Sequence, residues 1–185
     1  MTLPEGLVYR PEVLTEHEER ELIGHLEQLE FREIHMHGVV AKRTTRHFGV
    51  DYDYNSREIS ETEPPPDWLL PVRAKAAELA GVEPEALAEI LVTRYPEGAQ
   101  IGWHRDAPMF GSVVGVSLAG AARMRFRRGP ANDRELAEIQ LEPRSGYVLA
   151  GEARTKWQHH VPPTKSLRYS ITFRTLRGAV RGEQA

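Results

Sequence analysis

The first regular hydrophobic pattern along the chain is helical. Apolar residues recur at the spacing of one helix face in an otherwise charged stretch, at Leu22, Ile23, Leu26 and Leu29. Thr15 stands just before this stretch, three residues ahead of Glu18, which is the signature of a capping box. We therefore predict a helix over residues 15–29.

A second helical pattern follows the run EPPP at residues 63–66. Asp67 is a suitable N-cap for it. The apolar positions fall on one side of the predicted helix, at Leu69, Leu70, Val72, Ala76 and Leu79. Pro84 fits a first helical position and predicts a third, short helix that extends to about Ile90. Between the first two helices, residues 31–62 show neither a helical nor an alternating period, and we expect a hairpin or a long loop there.

The second half of the chain has the pattern of β-strands. Short β-rich runs are separated by Gly, Pro, Asn and Ser: ILVTRY, SVVGVSL, ARMRFRR, EIQLEP, GYVLAG, WQHHV and RYSITFR. Helices that precede strands argue against alternating βαβ units. We predict an α+β, mainly β chain with a jelly-roll-like double sheet and its N-terminal helices on one face. Residues 1–185 are expected to form a single domain.

Composition narrows the chemistry of any site. The 185 residues include no cysteine, which excludes disulfides and thiolate metal sites and favours a reducing interior. Neither a signal peptide nor a membrane span is visible, so we expect a cytoplasmic protein, and a monomer. The formal net charge of -3 gives no global attraction to nucleic acid. Binding to nucleic acid would therefore need a local basic surface.

A candidate metal site begins at His104 and Asp106. Residues two apart in a strand point to the same face, so this imidazole and carboxylate can share one ion. Two histidines and one carboxylate on one side of an ion form the facial triad of non-haem iron(II) oxygenases. The second histidine is either His159 or His160, because neighbours in a strand point to opposite faces. A surface hydrogen bond without any metal is the alternative explanation of the pair.

Two arginines of the last strand are candidates for binding a carboxylate. Arg168 and Arg174 are six residues apart in RYSITFR and would share one face of the strand. A guanidinium group pairs well with the carboxylates of a dicarboxylic acid such as 2-oxoglutarate. Arginine is frequent in this chain, so solvated surface charges are the alternative.

Four motifs in order resemble the AlkB family of iron(II) and 2-oxoglutarate dioxygenases. They span roughly residues 90–177 and are VTRYPEGAQIGWHRD, VSLAGAARMRFRR, SGYVLAGEARTKWQHHVPP and RYSITFR. The resemblance implies a double-stranded β-helix with a catalytic core over residues 91–177. Residues 1–90 would then hold the N-terminal helices and a substrate lid.

The resemblance also implies cofactors and roles for individual residues. Fe(II) would be bound by His104, Asp106 and His159, and O2 would be the second co-substrate beside 2-oxoglutarate. Arg168 would pair with the distal carboxylate of 2-oxoglutarate with help from the Tyr95 hydroxyl, and Arg174 would lie nearer the substrate and the chelating end. Two further co-substrate positions differ from the asparagines that the family often has there, namely Thr93 and Ser170.

Residues 42–54, KRTTRHFGVDYDY, resemble the substrate lid of related family members. Arg43, Arg46, His47 and Tyr52 could stack on a base and hold phosphates. The alternative is an edge hairpin whose tyrosines pack on the N-terminal helix.

The run ARMRFRR offers a second cationic surface. Alternation places Arg123, Arg125 and Arg127 on one face, which suits either a phosphate backbone or a solvated strand.

These features favour oxidative demethylation of N-alkylated nucleobases in DNA or RNA, as in the repair of DNA alkylation damage. The same oxygenase chemistry on a modified transfer RNA, a protein side chain or a small molecule is one alternative. A cupin-like module that binds a metal without turnover is the other. Release of succinate that depends on iron(II) and 2-oxoglutarate would separate both enzymes from the binding module.

Overall fold

The computed structural model describes residues 2–178. The helices in this range are α1 (Glu16–Leu26), α2 (Leu70–Ala80) and α3 (Gly151–Thr155), with 3-10 turns at Asp67–Leu69 and Pro84–Ala86. The strands in the same range are β1 (Leu7–Arg10), β2 (Arg32–Met36), β3 (Val39–Asp53), β4 (Glu58–Glu61), β5 (Glu89–Tyr95), β6 (Ile101–His104), β7 (Phe110–Ala119), β8 (Ala122–Arg128), β9 (Glu135–Leu141), β10 (Gly146–Leu149), β11 (Gln158–Val161) and β12 (Arg168–Leu176).

The strands form two antiparallel sheets that face each other. The major sheet has the order β1-β10-β7-β12-β5-β3-β2, and β4 pairs with β3 beside this path. The minor sheet has the order β6-β11-β8-β9. Sequence neighbours such as β6 and β7 lie in different sheets, as in a jelly roll, so the predicted fold class is confirmed.

Two apolar cores lie on opposite sides of the major sheet. The outer core joins α1 and α2 to one face of β12, where Tyr169, Ile171 and Phe173 are buried. The inner core fills part of the space between the sheets, with Phe126 of the minor sheet and Trp157 among its members. Burying the apolar faces of α1 and α2 explains why these helices pack where they do.

The N-terminal helices follow the prediction with two corrections. The capping box of Thr15 and Glu18 is present and starts α1. Asp67 is not an N-cap, because a 3-10 turn that begins with this residue runs directly into α2. The helix predicted from Pro84 to Ile90 ends at Ala86, since the following residues, from Glu89, pair with β12 and β3 as strand β5.

Residues 31–62 form two hairpins, which agrees with the first of the two predictions made for them. Strand β3 pairs with β2 and with β5 in the major sheet, and its last residues pair with β4. The first half of the chain therefore adds strands β1 to β4, although helices were expected to dominate it. Most side chains of β3 are half-buried, so its burial pattern lacks the alternation that identifies a strand.

Gly49 marks the point at which β3 changes partners. Its pairing with Glu89 is the last contact to β5, and the next residue pairs with Glu61 of β4. The positive φ of +82° suits glycine, and a side chain here would collide with the carbonyl group of Ala88. The backbone of Gly49 also donates to the Glu63 carbonyl at 2.7 Å and accepts from the Thr62 amide at 3.0 Å. These bonds close the base of the β3–β4 hairpin.

Candidate metal centre and active site

Three predicted metal ligands meet between the two sheets. The ligand atoms of His104, Asp106 and His159 all lie within 4.8 Å of one another. Nε2 of His104 is 3.4 Å from Oδ1 of Asp106, and Nε2 of His159 is 3.8 Å from the same oxygen. Donors held about 2.1 Å from one ion lie about 3 Å or more apart, so this spacing fits a single metal.

Hydrogen bonding orients the His104 ring for coordination. Its Nδ1 lies 2.8 Å from the carbonyl oxygen of Gly102, to which an N–H at this position donates. Since a neutral imidazole carries one proton, Nε2 is left with a free lone pair that faces Asp106. A backbone carbonyl that fixes the ring in this way is a common support of metal-binding histidines.

Burial keeps His159 neutral. The buried position, together with the nearby His104, lowers the pKa of the His159 imidazole to about 3. At neutral pH the ring therefore has no second proton to lose before it binds a cation. Its neighbour His160 points to the other face of the minor sheet, where the two ring centroids of His160 and Trp103 lie 4.6 Å apart. The alternation expected for this pair of histidines is thus present in the structure.

Arg174 ties Asp106 to the major sheet. Its Nε donates to Oδ2 of Asp106 at 3.0 Å, and one terminal nitrogen donates to Glu89 at 2.7 Å. Burial opposes ionisation of Asp106, but the charge of Arg174 and the two imidazoles hold the pKa of its carboxyl well below the usual value. Asp106 is therefore a carboxylate with one oxygen turned to the histidines.

The sequence predicted that strand alternation brings His104 and Asp106 together, and this explanation is wrong. His104 is the last residue of β6, and Asp106 lies in the loop that follows. Arg154 of α3 fixes this loop by donating to the carbonyl oxygens of Ala107 at 2.6 Å and of Gly111 and Phe110 at 2.9 Å each. A buried cation that binds three carbonyls replaces the strand as the support of Asp106.

Arg168 lies on the inner face of β12, as predicted, and is 1% exposed. Its Nε donates to the hydroxyl of Ser117 at 2.9 Å, and its guanidinium carbon is 5.0 Å from the centre of the Tyr95 ring. No carboxylate within residues 2–178 pairs with this cation. A buried, unpaired guanidinium is costly without an anion, and an anionic ligand would compensate it.

Other buried polar residues line the inner face of the major sheet between Arg168 and Arg174. Ser170 pairs in register with Thr93 on one side and with Ser117 on the other, and all three are buried. Tyr147 of β10 crosses over Gly115, where a side chain would collide with its ring. Burial raises the pKa of the Tyr147 hydroxyl to about 12, so this group stays protonated.

The cations predicted to bind substrate in the lid are largely engaged with neighbouring residues. Arg46 is 2.7 Å from a Glu63 oxygen, and the His47 imidazole is 3.4 Å from Asp51. Arg43 donates to the carbonyl oxygen of Gln100 at 2.9 Å. Their role in binding substrate remains a prediction.

Tyr52 does not pack on the N-terminal helix. Its ring lies 4.8 Å from Tyr54 and 6.0 Å from Phe110, so the alternative that placed the lid tyrosines on α1 is wrong for this residue.

The predicted cations of β8 lie on the outer face of the minor sheet. In the register of β8 and β11, Phe126 faces inward beside His159, so Arg125 and Arg123 face outward. Both are 3.5 Å from carboxylate oxygens of Glu138. A nucleic acid strand could reach them only along the outside of the protein, and their contact with substrate also remains a prediction.

A cleft of about 420 Å³ opens beside the candidate ligand Asp106. It is lined on one side by the tip of the β3–β4 hairpin and on the other by the loop that carries Asp106. Its lining includes Tyr52, Tyr54, Arg105, Asp106, Arg154 and Arg177.

Sequence reasoning missed several of the residues that build this site, namely Glu89, Ser117, Tyr147 and Arg154. Ser117 lies inside the apolar part of β7, and Glu89 is the first residue of β5, directly before the apolar run ILV. A polar residue at such a position is a usable signal for a buried functional side chain. Arg154 lies in a helix of five residues whose sequence carries no helical period, so nothing in the chain indicated its role.

Comparison with known proteins identifies a family for most of the described chain. The family model described as the 2OG-Fe(II) oxygenase superfamily matches residues 6–174. In the part of the chain that the structure describes, no helix is long and apolar enough to cross a membrane.

Relatives of known name share about a quarter of their aligned residues with this chain. An "Alkylated DNA repair protein ALKBH8 homolog" from Arabidopsis thaliana is 26% identical over 93% of this chain and 58% of its own length. The "tRNA (carboxymethyluridine(34)-5-O)-methyltransferase ALKBH8" of Mus musculus is 26% identical over 88% of this chain and 25% of its own length. The chain thus spans between a quarter and 58% of the length of these two relatives.

Solved structures share the fold. The structure of OsALKBH1 superposes with a TM-score of 0.74 at 18% identity and covers 95% of this chain and 98% of that one. A prolyl-4-hydroxylase from Pseudomonas putida superposes with a TM-score of 0.63 at 14% identity and covers 94% of each chain.

Proposed function

The chain belongs to the 2OG-Fe(II) oxygenase superfamily, and we propose that it is a 2-oxoglutarate-dependent oxygenase that removes N-alkyl groups from nucleobases. The AlkB-family resemblance of its motifs is confirmed by the family match and by the named relatives. The observation that carries the proposal is the group His104, Asp106 and His159, whose ligand atoms converge between the sheets on the side of the buried Arg168 and Arg174.

The donor set of the site fits iron(II). Two neutral imidazoles and one carboxylate leave three coordination positions for other ligands. Iron(II) with bound 2-oxoglutarate and dioxygen would supply the oxidation of an alkyl carbon. In the overall reaction, an N-methyl group becomes a hydroxymethyl group and leaves as formaldehyde, while 2-oxoglutarate becomes succinate and carbon dioxide.

The residues of the inner face would bind the co-substrate. Arg168 offers a buried cation for the distal carboxylate, with the Tyr95 ring beside it and Ser117 fixing the guanidinium. Thr93 and Ser170 are neutral hydrogen-bonding groups in the same register. Arg174 would act mainly through Asp106, because both of its anionic partners are already in place.

A nucleic acid substrate is supported by the names of two relatives, which describe a DNA repair protein homologue and a tRNA methyltransferase. The cleft beside Asp106 is open and aromatic on one side, as a site for an unstacked base requires. The formal net charge of -3 means that attraction to nucleic acid must be local.

A turnover screen tests the proposal. Purified protein with iron(II), 2-oxoglutarate and oxygen should release succinate, and this release should increase with methylated oligonucleotides or nucleosides that lose a methyl group by mass. Succinate release without any nucleobase product would keep the oxygenase and exclude the nucleobase. No succinate under any condition would favour a metal-binding module without turnover.

Modified transfer RNA is the second candidate substrate, because the mouse relative is named for an enzyme that acts on tRNA uridine. Adding anticodon stem-loops with modified uridines to the same screen distinguishes the two. A gain of one oxygen atom on the RNA, without loss of a methyl group, would identify hydroxylation of the modification instead of dealkylation.

A further inference from the structure

We propose that the cleft beside Asp106 selects a substrate with a phosphate next to the reacting base, and that Arg105 and Arg177, backed by Arg154, bind this phosphate. This inference rests on the proposed function and assigns the part of the site that receives the substrate. The cleft, of about 420 Å³, is lined by these three arginines and by Tyr52 and Tyr54.

In the described range, the arginines of the cleft are not engaged in ion pairs of their own. Among residues 2–178, none of the three forms an ion pair with a carboxylate. Arg154 is 6% exposed, and the partners of its guanidinium are the carbonyl oxygens that hold the loop. Arg105 and Arg177 are exposed at the rim of the cleft. Three unpaired cations around one opening make a site for an anion.

The cations that were expected to bind substrate differ from these in their surroundings. Arg46 pairs with Glu63, and Arg123 and Arg125 share Glu138. Their charge is therefore partly cancelled within the protein. Within the described part of the chain, Arg43 also lacks a carboxylate partner, but it lies outside the lining of the cleft, where three such cations meet beside Asp106.

The opposite wall of the cleft suits a planar base. Tyr52 is half-buried and its ring packs edge-on against Phe110, while Tyr54 is 69% exposed. Aromatic rings stack on bases without reading sequence, at about 1–3 kcal/mol per base. Aromatic rings on one side and guanidinium groups without a carboxylate partner among the described residues on the other offer separate surfaces for the base and the phosphate of a nucleotide.

The position of Arg105 in the chain indicates which phosphate would be bound. Arg105 lies between the two candidate ligands His104 and Asp106 in the chain, so its backbone is fixed beside them. A phosphate held there would belong to the nucleotide whose base reacts, because distant phosphates of the strand would lie outside the cleft.

Binding measurements with neutral backbone analogues test the inference. The probe is a short single-stranded oligonucleotide, in DNA and RNA versions, with one N-methylated adenine and a fluorescent label, and anisotropy is measured without oxygen in the presence of iron(II) and 2-oxoglutarate. One analogue replaces the phosphates flanking the methylated base by uncharged methylphosphonates, and a second replaces the same number of distant phosphates.

The double variant Arg105→Ala/Arg177→Ala should bind the charged probe about tenfold more weakly, and its salt dependence should fall by about two released counterions. Flanking methylphosphonates should weaken the wild type by a similar factor and the double variant hardly at all, because the same contact is already lost. The matched control is Arg20→Ala/Arg134→Ala, which removes equal charge from exposed positions in α1 and just before β9. Melting temperatures check that both variants are folded.

Three results would contradict the inference in distinguishable ways. Equal weakening by the cleft pair and the control pair would mean that only net charge matters, as would equal effects of flanking and distant methylphosphonates. Either result overturns the cleft assignment and leaves the nucleobase substrate intact. Absence of probe binding by a wild type that still converts 2-oxoglutarate to succinate would overturn both the cleft assignment and the nucleobase, and would direct the search to carboxylate-bearing substrates.

Discussion

The two faces of strand β12 meet different environments, and they contribute differently to the molecule. Tyr169, Ile171 and Phe173 point outward into the core that holds α1 and α2. Arg168 and Arg174, on the opposite face, point into the space between the sheets, where they are almost as deeply buried. Burial of apolar area stabilises the fold, whereas burial of charge costs stability unless a partner compensates it.

The contrast shows that the two faces of β12 are buried for different reasons. The outer face is complete in the protein alone, because its partners are its own helices. On the inner face, the charge of the buried arginines is only partly compensated within the protein. Arg174 has two carboxylates, but Arg168 has a hydroxyl and an aromatic ring as its neighbours. The face that lacks internal partners is the one expected to receive ligands.

The largest effect should come from removing a candidate iron ligand on the inner side. His104→Ala, Asp106→Ala or His159→Ala should abolish 2-oxoglutarate turnover, measured as succinate, because each removes one of three protein ligands. His160→Ala is the matched control, since this ring stacks on Trp103 on the outer face of the minor sheet. Loss of turnover in His160→Ala with retention in His159→Ala would show that the two histidines exchange roles.

The outer face should respond in stability instead. Phe173→Ala should lower the free energy of unfolding by about 3–5 kcal/mol, because a fully buried ring leaves a cavity between the sheet and the helices. Thr172→Ala, one residue away on the inner face, should cost about 1–2 kcal/mol or less. Urea unfolding of the metal-free protein measures both. Equal losses in the two variants would remove the distinction between the faces.

Binding of the co-substrate should depend on the inner cation. Arg168→Ala should weaken 2-oxoglutarate binding by on the order of 2–5 kcal/mol, because a carboxylate loses a buried partner. Arg168→Lys should restore part of the affinity, since lysine keeps the charge without the planar fork. Titration calorimetry with the Phe173→Ala variant as comparison separates this effect from general loosening. Unchanged affinity in Arg168→Ala would exclude this residue from the co-substrate site.

The smallest effect is expected in the helical layer outside the major sheet. The hydrogen bond from Lys75, and next the backbone bond at Thr15, lower the pKa of the Glu18 carboxyl below its ordinary value of 4.5. A carboxyl with a lowered folded pKa stabilises the protein above its unfolded pKa, and this contribution is lost as the pH falls through the folded pKa. Because the pair is partly exposed, the gain is small, at about 0.5–1 kcal/mol.

Glu18→Gln should therefore be less stable than the wild type at pH 7, and the difference should shrink below about pH 4.5 and vanish in stronger acid. Glu16→Gln, in the same turn of α1, serves as the control. Thermal unfolding at a series of pH values gives both curves. A difference that grows on acidification would contradict the sign of the shift.

Local sequence signals predicted those parts of the fold that depend on near neighbours. Thr15 and Glu18 are three residues apart, and their capping box could be recognised without any tertiary contact. The β-rich runs from ILVTRY onward form strands, because short apolar runs between turn residues favour strands over helices. Strand β3 was not recognised as such, because its partial burial depends on β2 and β5 rather than on its own alternation.

The candidate site shows the same division between features that depend on near neighbours and features that depend on distant contacts. His104, Asp106 and the pair at His159 and His160 were visible as residue types at suggestive spacings. The supports of these groups were not visible, since Arg154 reaches a loop more than forty positions away and Glu89 reaches Arg174 across eighty-five. Contacts between positions so distant in the chain are decided by sheet topology, which a single sequence does not reveal.

The closed base of the β3–β4 hairpin has a practical consequence for protein engineering. Because Gly49 ends the pairing with β5 and is bonded to Thr62 and Glu63, the backbone of the residues between is joined to the major sheet at this base. We therefore expect residues 50–61 to act as a cassette that can be exchanged for hairpins of other length and composition while the register of β3 and β5 is kept. A library built on this cassette, with Gly49 kept, would vary the wall of the cleft that carries Tyr52 and Tyr54 while the candidate iron ligands stay in place.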